Sequence, residues 1–234
     1  MEILEECCGY LKLATMNKIK WRIAQWFELR WWKNYLRNKN KLDYLTWKKN
    51  YWTGILNRIS AEIKTEPTKA ICDLGCGPAG IFIALPLNKV TAVDPLINEY
   101  EQQTPFFCKA DYPNATFVQS SLEDFISTEK FDVVFCLNAI NHVYDIEKGF
   151  EKLKEVCVPN GVVVVSIDTH NFSFFKYLFR WVPGDVLHPH QYDLEEYSTF
   201  LKNQRLGVVK TVLLKREFFF NHYLVVATRE NKTG

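Results

Sequence analysis

A glycine-rich turn in the first half of the chain has the spacing of a cofactor-binding loop. Gly75, Gly77 and Gly80 follow a short apolar run that reads as a strand. Because glycine has no Cβ atom, the backbone can turn tightly there and approach a ligand closely. Pro78 suits the opening turn of a helix, which we expect to begin near Ile81. The same spacing fits the G-x-G-x-x-G pattern of NAD-binding folds, so the glycines alone do not distinguish one adenosine-containing cofactor from another.

Two carboxylates accompany this turn. Asp73 stands two positions before the first glycine, and Asp94 ends the next predicted strand. The carboxyl ends of neighbouring parallel strands lie at one edge of a sheet, so Asp94 should lie beside the turn, where its oxygens can accept hydrogen bonds from ribose hydroxyls. An aspartate that only caps a turn at a strand end is the alternative reading of Asp94.

Strands alternate with helices from about residue 69 onward. Strands are predicted at 69–74, 90–94, 116–119, 131–137 and 161–167, and a helix between 146 and 156. The last of these strands is a nearly continuous apolar run, as is typical of a parallel strand buried on both faces. This order predicts an α/β fold with an open, doubly wound and mostly parallel sheet.

The final stretch departs from that order. A helix is predicted from Leu194 to Asn203, followed by strands at 208–219 and 222–228. The link of about two residues between them cannot hold a crossover helix, so the two strands should pair antiparallel. We therefore expect an antiparallel hairpin strand at the C-terminal side of the sheet.

The first 65 residues lack strand-like alternation and are predicted to form a helical N-terminal cap, or substrate lid. Apolar residues recur at helical steps at Ile19, Ile23, Trp26 or Phe27, Trp31 and Tyr35. A second helix is predicted from Asp43, taken as its N-cap. We expect the aromatic face to cover the core or a pocket mouth, whereas the interleaved Lys and Arg also fit an interfacial membrane helix. Residues 66–234 then form the second domain.

Composition restricts the class of protein. The chain has 234 residues, 47% of them hydrophobic, and a formal charge of +2, which provides no global attraction to nucleic acid. Its 7 Cys form no disulfide ladder. No uninterrupted apolar run approaches the roughly 18 residues that span a bilayer. We expect a soluble, cytoplasmic monomer or homodimer without a transmembrane segment, compatible with peripheral membrane contact.

With these features together, residues 70–229 resemble a class I S-adenosylmethionine-dependent methyltransferase. Asp73-Leu-Gly-Cys-Gly77 matches the cofactor loop of that family, and Asp132 to Val143 matches its fourth strand and the following loop. The resemblance implies a Rossmann-like fold with S-adenosyl-L-methionine as cofactor and S-adenosyl-L-homocysteine as product. The residues that it assigns to the cofactor are Asp73, Gly75, Cys76, Gly77, Asp94, Pro95, Leu122, Glu123, Asn138 and His142.

Catalytic and acceptor residues follow from the same resemblance. His142 lies beside the transferable methyl by family position, and His188 and His190 lie on a lid insertion at about 171–192 that loosely resembles the lid of small-molecule O-methyltransferases, including those acting on quinone precursors. Histidine is the natural base near neutral pH. In the alternative reading, His142 only holds its loop. The predicted acceptor-binding residues are Trp47, Tyr51, Asn141, Asp168 and Tyr177. For Asp168, at the end of the fifth strand, capping of the following segment is the equal alternative.

No metal site is predicted. The carboxylates that the quinone-precursor subgroup places near the fourth-strand loop are Asn138 and Asn141 here, and His188-x-His190 has no convincing further ligands. The predicted function is methyl transfer to an O or N atom of a small, apolar or aromatic molecule. The alternatives are an RNA or protein methyltransferase, a non-catalytic cofactor-binding or membrane-surface module, and an NAD-dependent dehydrogenase.

Overall fold

Seven strands form one sheet in the computed structural model, which describes residues 17–170, 192–217 and 220–231. The sheet order is β3-β2-β1-β4-β5-β7-β6. The first five strands are parallel, and β7 pairs antiparallel with both β5 and β6, which confirms the predicted hairpin. The strands are β1 Ile71–Leu74, β2 Val90–Val93, β3 Ala115–Val118, β4 Phe131–Cys136, β5 Cys157–His170, β6 Leu206–Arg216 and β7 Phe220–Arg229.

Both faces of the sheet are covered, which is why its central strands are largely apolar. Val163 and Val165 of β5 enter one hydrophobic cluster, and Val164 between them enters the cluster on the opposite face. Side chains of a strand alternate between faces, so two covered faces require an unbroken apolar run. The helices that cover them are α1 Lys18–Leu36, α2 Lys41–Arg58, α3 Ile97–Gln103, α4 Ile146–Val156 and α5 Leu194–Asn203.

Helix α2 contributes directly to the core of the sheet domain. Trp52, Ile55 and Ile59 are buried in the same cluster as residues of β1 and β2. The indole N–H of Trp52 donates to the carbonyl of Ala79 at 2.9 Å. Helix α2 is therefore fastened to the glycine turn and shares the hydrophobic core of the sheet.

Two local predictions were wrong. The expected α-helix at Ile81 is a pair of short 3-10 turns, Gly77–Ala79 and Ile81–Ala84. Pro86 follows so soon that no α-helix has room to form, because proline lacks an N–H and disfavours helical geometry in the residue before it. Helix α2 is capped by Asn40 instead of Asp43, since the Asn40 side chain accepts the N–H groups of Leu42 and Asp43.

The aromatic face predicted for α1 covers the core only in small part. Ile19, Ile23, Trp26 and Phe27 are exposed, whereas Trp31 at the far end of the helix lines a cavity. The side of α1 that carries Trp21 faces inward instead, and the indole N–H of Trp21 donates to the carbonyl of His142 at 2.9 Å.

Candidate active site

The glycine turn requires glycine at its first two positions. Gly75 and Gly77 have φ angles of 75° and 57°, in the left-handed region that side chains rarely adopt. A Cβ atom at Gly75 would lie 2.2 Å from the Cβ of Ala139. The turn and the loop after β4 therefore approach each other as closely as the backbone allows, and both form walls of one cleft.

Asp94 holds the turn from the neighbouring strand. Its Oδ2 accepts the N–H of Gly77 at 2.8 Å and its Oδ1 accepts the N–H of Leu96 at 2.8 Å. Each oxygen keeps a lone pair that can accept a hydroxyl of a ligand. Burial, with the nearby charge of Glu28, raises the pKa of Asp94 to about 7.

Asp73 lies beneath the turn, almost fully buried. Its Oδ2 accepts the N–H of Ile81 at 2.9 Å, and burial raises its pKa to about 7. The charge of Lys48 on α2 acts in the opposite direction on the pKa of Asp73, and the pKa of Lys48 itself is lowered to about 8 by burial. Lys48 also lies over the ring of Trp52, 4.7 Å from the ring centroid. A lysine in this cleft thus places a positive charge near Asp73.

The loop after β3 and the facing side of α1 each present a buried hydrogen-bond acceptor that receives no hydrogen bond from the described residues. Glu123 Oε1 accepts the N–H groups of Tyr144 and Asp145 at 2.6 and 3.1 Å. Its Oε2 is buried and has no partner within the described part of the chain, and the same holds for Oε1 of Gln25 on α1. Both residues line the cleft beside Leu122. Two unpaired buried acceptors next to an apolar side chain fit a flat heterocycle that carries an amine.

The loop after β4 closes the other side of the cleft. Asn138 has a φ of 56°, and its amide oxygen and backbone N–H both pair with the hydroxyl of Ser166 at 2.9 and 2.6 Å. His142 ends a short 3-10 turn, Ile140–His142. Asn138 and His142 line the cleft and also a second cavity next to it.

The second cavity has a volume of about 410 Å³ and lies between α1 and α2. Five residues line both cavities, so the two form one continuous site. The remaining wall of the second cavity is aromatic, and its volume lies in the range of small-molecule pockets. Its lining residues are Glu28, Trp31, Trp32, Tyr35, Tyr44, Trp47, Lys48, Asn138 and His142.

The structure brings most of the predicted cofactor residues together. Asp73 and Cys76 are buried close to the turn, and Trp47 lines the aromatic cavity. The predicted residues that line the cleft are Gly75, Gly77, Asp94, Pro95, Leu122, Glu123, Asn138 and His142.

Three predicted acceptor residues lie outside the walls of these two cavities. Asn141 is buried and accepts the hydroxyl of Tyr197 at 3.0 Å, so it fastens the loop to α5. Tyr51 packs between Trp47 and Trp52, and Asp168 pairs with Nδ1 of His222 at 2.6 Å. Tyr177, His188 and His190 lie outside the described residues.

Some residues that line the site were not predicted. Trp21, Gln25, Glu28 and Trp32 all line the cleft, and they recur at helical spacing along α1. The helical spacing of this inward row is present in the sequence, but the neighbouring row is more apolar and gives the stronger pattern. Lys48 gave no such signal. Among the described residues, no group of three or more His, Cys, Asp or Glu side chains is placed to hold a metal ion, and no helix combines the length and apolar character needed to cross a bilayer.

Comparison with known proteins agrees with this geometry. Residues 72–165 match the family model described as a methyltransferase domain. A ubiquinone biosynthesis O-methyltransferase of Rickettsia typhi is 28% identical over 202 residues, covering 76% of this chain and 78% of the relative. The corresponding protein of Rickettsia canadensis is 30% identical over 159 residues, 63% of each chain.

Solved structures share the fold. Magnesium protoporphyrin IX methyltransferase of Synechocystis, solved with bound S-adenosylhomocysteine, aligns with a TM-score of 0.64 at 17% identity, covering 90% of this chain and 99% of that one. The N-methyltransferase NodS of Bradyrhizobium japonicum, also with S-adenosyl-L-homocysteine, aligns at 0.56 and 14% identity, covering 84% and 91%. The matched domain, the sheet order and the glycine turn with its carboxylates show an S-adenosylmethionine-dependent methyltransferase with a Rossmann-like fold.

Proposed function

We propose that this enzyme methylates an oxygen atom of a small, largely apolar or aromatic molecule held in the cavity between α1 and α2. The observation that carries the proposal is the aromatic cavity itself, which shares five lining residues with the cofactor cleft. Such walls favour a flat or apolar acceptor over a charged polymer. The names of the Rickettsia relatives support oxygen as the accepting atom.

The described residues supply a binding site for each part of the cofactor. Gly75 and Gly77 present backbone to the amino-acid part, and Asp73 faces its ammonium group as a carboxylate. Asp94 accepts the ribose hydroxyls, while Leu122 packs on the adenine and Glu123 accepts its amine. When bound, S-adenosyl-L-methionine supplies an electrophilic methyl group on a sulfonium and leaves as S-adenosyl-L-homocysteine.

Catalysis by the chain consists of alignment, exclusion of water and removal of one proton. The indole side chains of α1 and α2 hold the acceptor and exclude solvent from the reacting atoms. His142, which lines both cavities, takes the hydroxyl proton of the acceptor at a ring nitrogen in this proposal. Asp168 and His222 form a hydrogen-bonded pair across the neighbouring strands β5 and β7, and the charge of Asp168 raises the pKa of Tyr51.

We also propose that the protein is cytoplasmic, because every described cysteine is free.

The decisive assay offers one molecule with two acceptor atoms. A phenol that also carries a primary amine is incubated with enzyme and S-adenosyl-L-methionine, and the site of methylation is read by mass spectrometry. We expect the methyl ether, with kcat/KM rising as apolar substituents are added to the ring. Methylation of the amine, or transfer to RNA or protein without transfer to any phenol, would contradict the proposal.

Matched tryptophan variants test the cavity. Trp47→Ala removes a wall of the aromatic cavity, whereas Trp26→Ala removes an equally large side chain that is exposed and outside it. In vesicle-free buffer, Trp47→Ala should lower kcat/KM for the phenol by at least about tenfold, because burying one aromatic ring contributes a few kcal/mol. Trp26→Ala should leave it within about twofold. Equal losses in both variants would argue against this acceptor site.

A further inference from the structure

A row of apolar side chains on α1 faces solvent instead of the core. The row consists of Ile19, Ile23, Trp26, Phe27 and Trp31, hereafter the apolar stripe, and their exposed fractions run from 44% for Phe27 to 68% for Ile19. The spacing i, i+4, i+7, i+8, i+12 is that of one face of an α-helix. The opposite face already packs on the cleft through Trp21 and its neighbours. A continuous exposed apolar face of this kind marks a binding surface.

The stripe lies in the most basic part of the chain. Residues 18–49 contain ten Lys or Arg and two Asp or Glu, a net charge of +8, while the whole chain carries +2, which leaves −6 on the remainder. Arg30 lies within the stripe, 5.5 Å from the centroid of the Trp26 ring. One of the two acidic residues, Glu28, points to the cleft on the other side of the helix. The positive charge is therefore concentrated on α1 and α2, although Lys18 and Lys41 pair with Asp124 and Asp111 and Lys48 lies in the cleft.

The combination of aliphatic, aromatic and basic side chains selects the partner. A helix lying in a membrane interface buries Ile, Phe and Trp among the acyl chains and places Lys and Arg at anionic headgroups. Single-stranded RNA could stack its bases on the aromatic rings and pair its phosphates with Lys and Arg, but it would make no favourable contact with Ile19 and Ile23. A second copy of the chain would bring two strongly positive surfaces together. A bilayer with anionic lipid binds both the apolar and the basic side chains of this surface.

The stripe ends at the mouth of the acceptor cavity. Trp31 belongs both to the stripe and to the cavity wall, and Trp47 on the opposite wall is 53% exposed. Trp31 also stacks on Tyr35 inside the cavity lining, with ring centroids 4.8 Å apart. A membrane that contacts the stripe therefore contacts the opening through which an apolar molecule would enter.

We propose that the apolar stripe docks the enzyme on an anionic membrane surface and that the acceptor passes from the lipid directly into the cavity between α1 and α2. The docking stands on the exposed stripe and its charge. The passage of the acceptor rests on the proposed function. A helix lying in the interface in this way keeps the catalytic domain in water while an acceptor too apolar to dissolve reaches the methyl group.

Flotation with vesicles tests the docking. Full-length protein is mixed with vesicles of phosphatidylcholine alone or with about one-third phosphatidylglycerol, and the bound fraction is measured. The test variant is Ile23→Ser with Phe27→Ser, neither of which lines the site. The matched control is Leu87→Ser with Ile126→Ser, which removes equally apolar side chains that are 76% and 87% exposed elsewhere.

The wild type should float with the anionic vesicles and stay behind with the neutral ones. The test variant should lose at least about tenfold in partition coefficient, because two apolar side chains no longer enter the interface, and the control should stay within about twofold. Equal loss in both variants, equal binding to neutral vesicles, or absence of flotation with retained binding to RNA would each overturn the proposal. Thermal unfolding and S-adenosyl-L-homocysteine affinity of both variants serve as folding checks.

A second measurement separates this proposal from the proposed function. Turnover of a water-soluble phenol without vesicles should be the same in wild type and test variant. Turnover of a long-chain phenol dissolved in anionic vesicles should fall about tenfold in the test variant alone. If neither phenol is methylated by any form while flotation behaves as expected, the acceptor assignment fails and the docking stands. If both phenols are methylated equally well by the test variant, docking does not deliver the acceptor.

Discussion

Glu123→Gln is the most informative single change in the cofactor cleft. One carboxylate oxygen of Glu123 accepts two backbone N–H groups, and the other is buried without a partner in the described part of the chain. Burial raises the pKa of this carboxyl, so its ionised form is costly in the ligand-free protein. Glutamine keeps the shape and one acceptor oxygen, but it presents N–H donors where the adenine amine also donates. The substitution should therefore weaken cofactor binding without weakening the fold.

The magnitude follows from one hydrogen bond to a charged acceptor. Such bonds contribute about 1.5–3 kcal/mol, which corresponds to a rise in Kd for S-adenosyl-L-homocysteine of about 10- to 150-fold. The free energy of unfolding of ligand-free protein should stay equal or increase, because a buried carboxylate has been replaced by a neutral amide. Titration calorimetry measures the first quantity and urea denaturation the second. Glu129→Gln, in an exposed loop, is the matched control and should change neither.

A double-mutant cycle that combines Glu123→Gln with an altered ligand tests whether Glu123 contacts the adenine amine. In S-inosylhomocysteine a carbonyl replaces the adenine amine, so the wild type should bind it as weakly as Glu123→Gln binds S-adenosyl-L-homocysteine. The two changes combined should cost little more than either one alone, because both remove the same hydrogen bond. Fully additive losses, or an affinity of Glu123→Gln for S-adenosyl-L-homocysteine within about twofold of wild type, would refute the placement of the adenine.

Three further changes test other parts of the site. Gly75→Ala should lower the free energy of unfolding by more than the roughly 1–2 kcal/mol of left-handed strain, since the new Cβ would lie 2.2 Å from the Cβ of Ala139. The control is Gly54→Ala, inside α2 with nothing within 4 Å, which should stabilise the protein by about 0.5–1 kcal/mol. Urea denaturation compares the two variants. His142→Ala should lower kcat by about 100- to 10,000-fold with the Kd for S-adenosyl-L-homocysteine unchanged, and an unchanged kcat would remove His142 as the base. Because burial raises the pKa of Asp73 and Asp94 to about 7, from the ordinary 3.8 of an aspartate, the ligand-free folded state binds protons more tightly than the unfolded state between those values. Its stability should therefore fall as pH rises from about 4 to 7 and level off above, and Asp94→Asn should flatten the Tm profile; a flat wild-type profile would contradict the burial argument.

Residues close together in the chain were predicted well. Asp73 and the two glycines after it belong to one strand and one turn, so their arrangement depends on local backbone geometry. Asp94 follows because neighbouring parallel strands present their carboxyl ends at the same edge. The 3-10 turns found in place of the helix at Ile81 also depend on nearby residues, because Pro86 prevents an α-helix from continuing there.

The rest of the site depended on contacts between distant segments. Asp168 and His222 meet because β5 and β7 pair in one particular register, and a shift by one residue would turn one of them to the other face. Asn141 was predicted to touch the acceptor, yet its amide fastens the loop to Tyr197 of a later helix. Spacing along a sequence does not specify such partners.

Helix α1 shows most clearly what sequence and tertiary structure each decided. The sequence by itself determined that residues 18–36 form a helix, and it contains two rows at helical spacing, one wholly apolar and one mixed. Tertiary structure decided which row faces inward, because the mixed row can donate from Trp21 to His142 and place Gln25 in the cleft. Burial of apolar area favours either row, whereas hydrogen bonds to fixed partners favour only one. The apolar row was thereby left on the surface, beside the mouth of the active site.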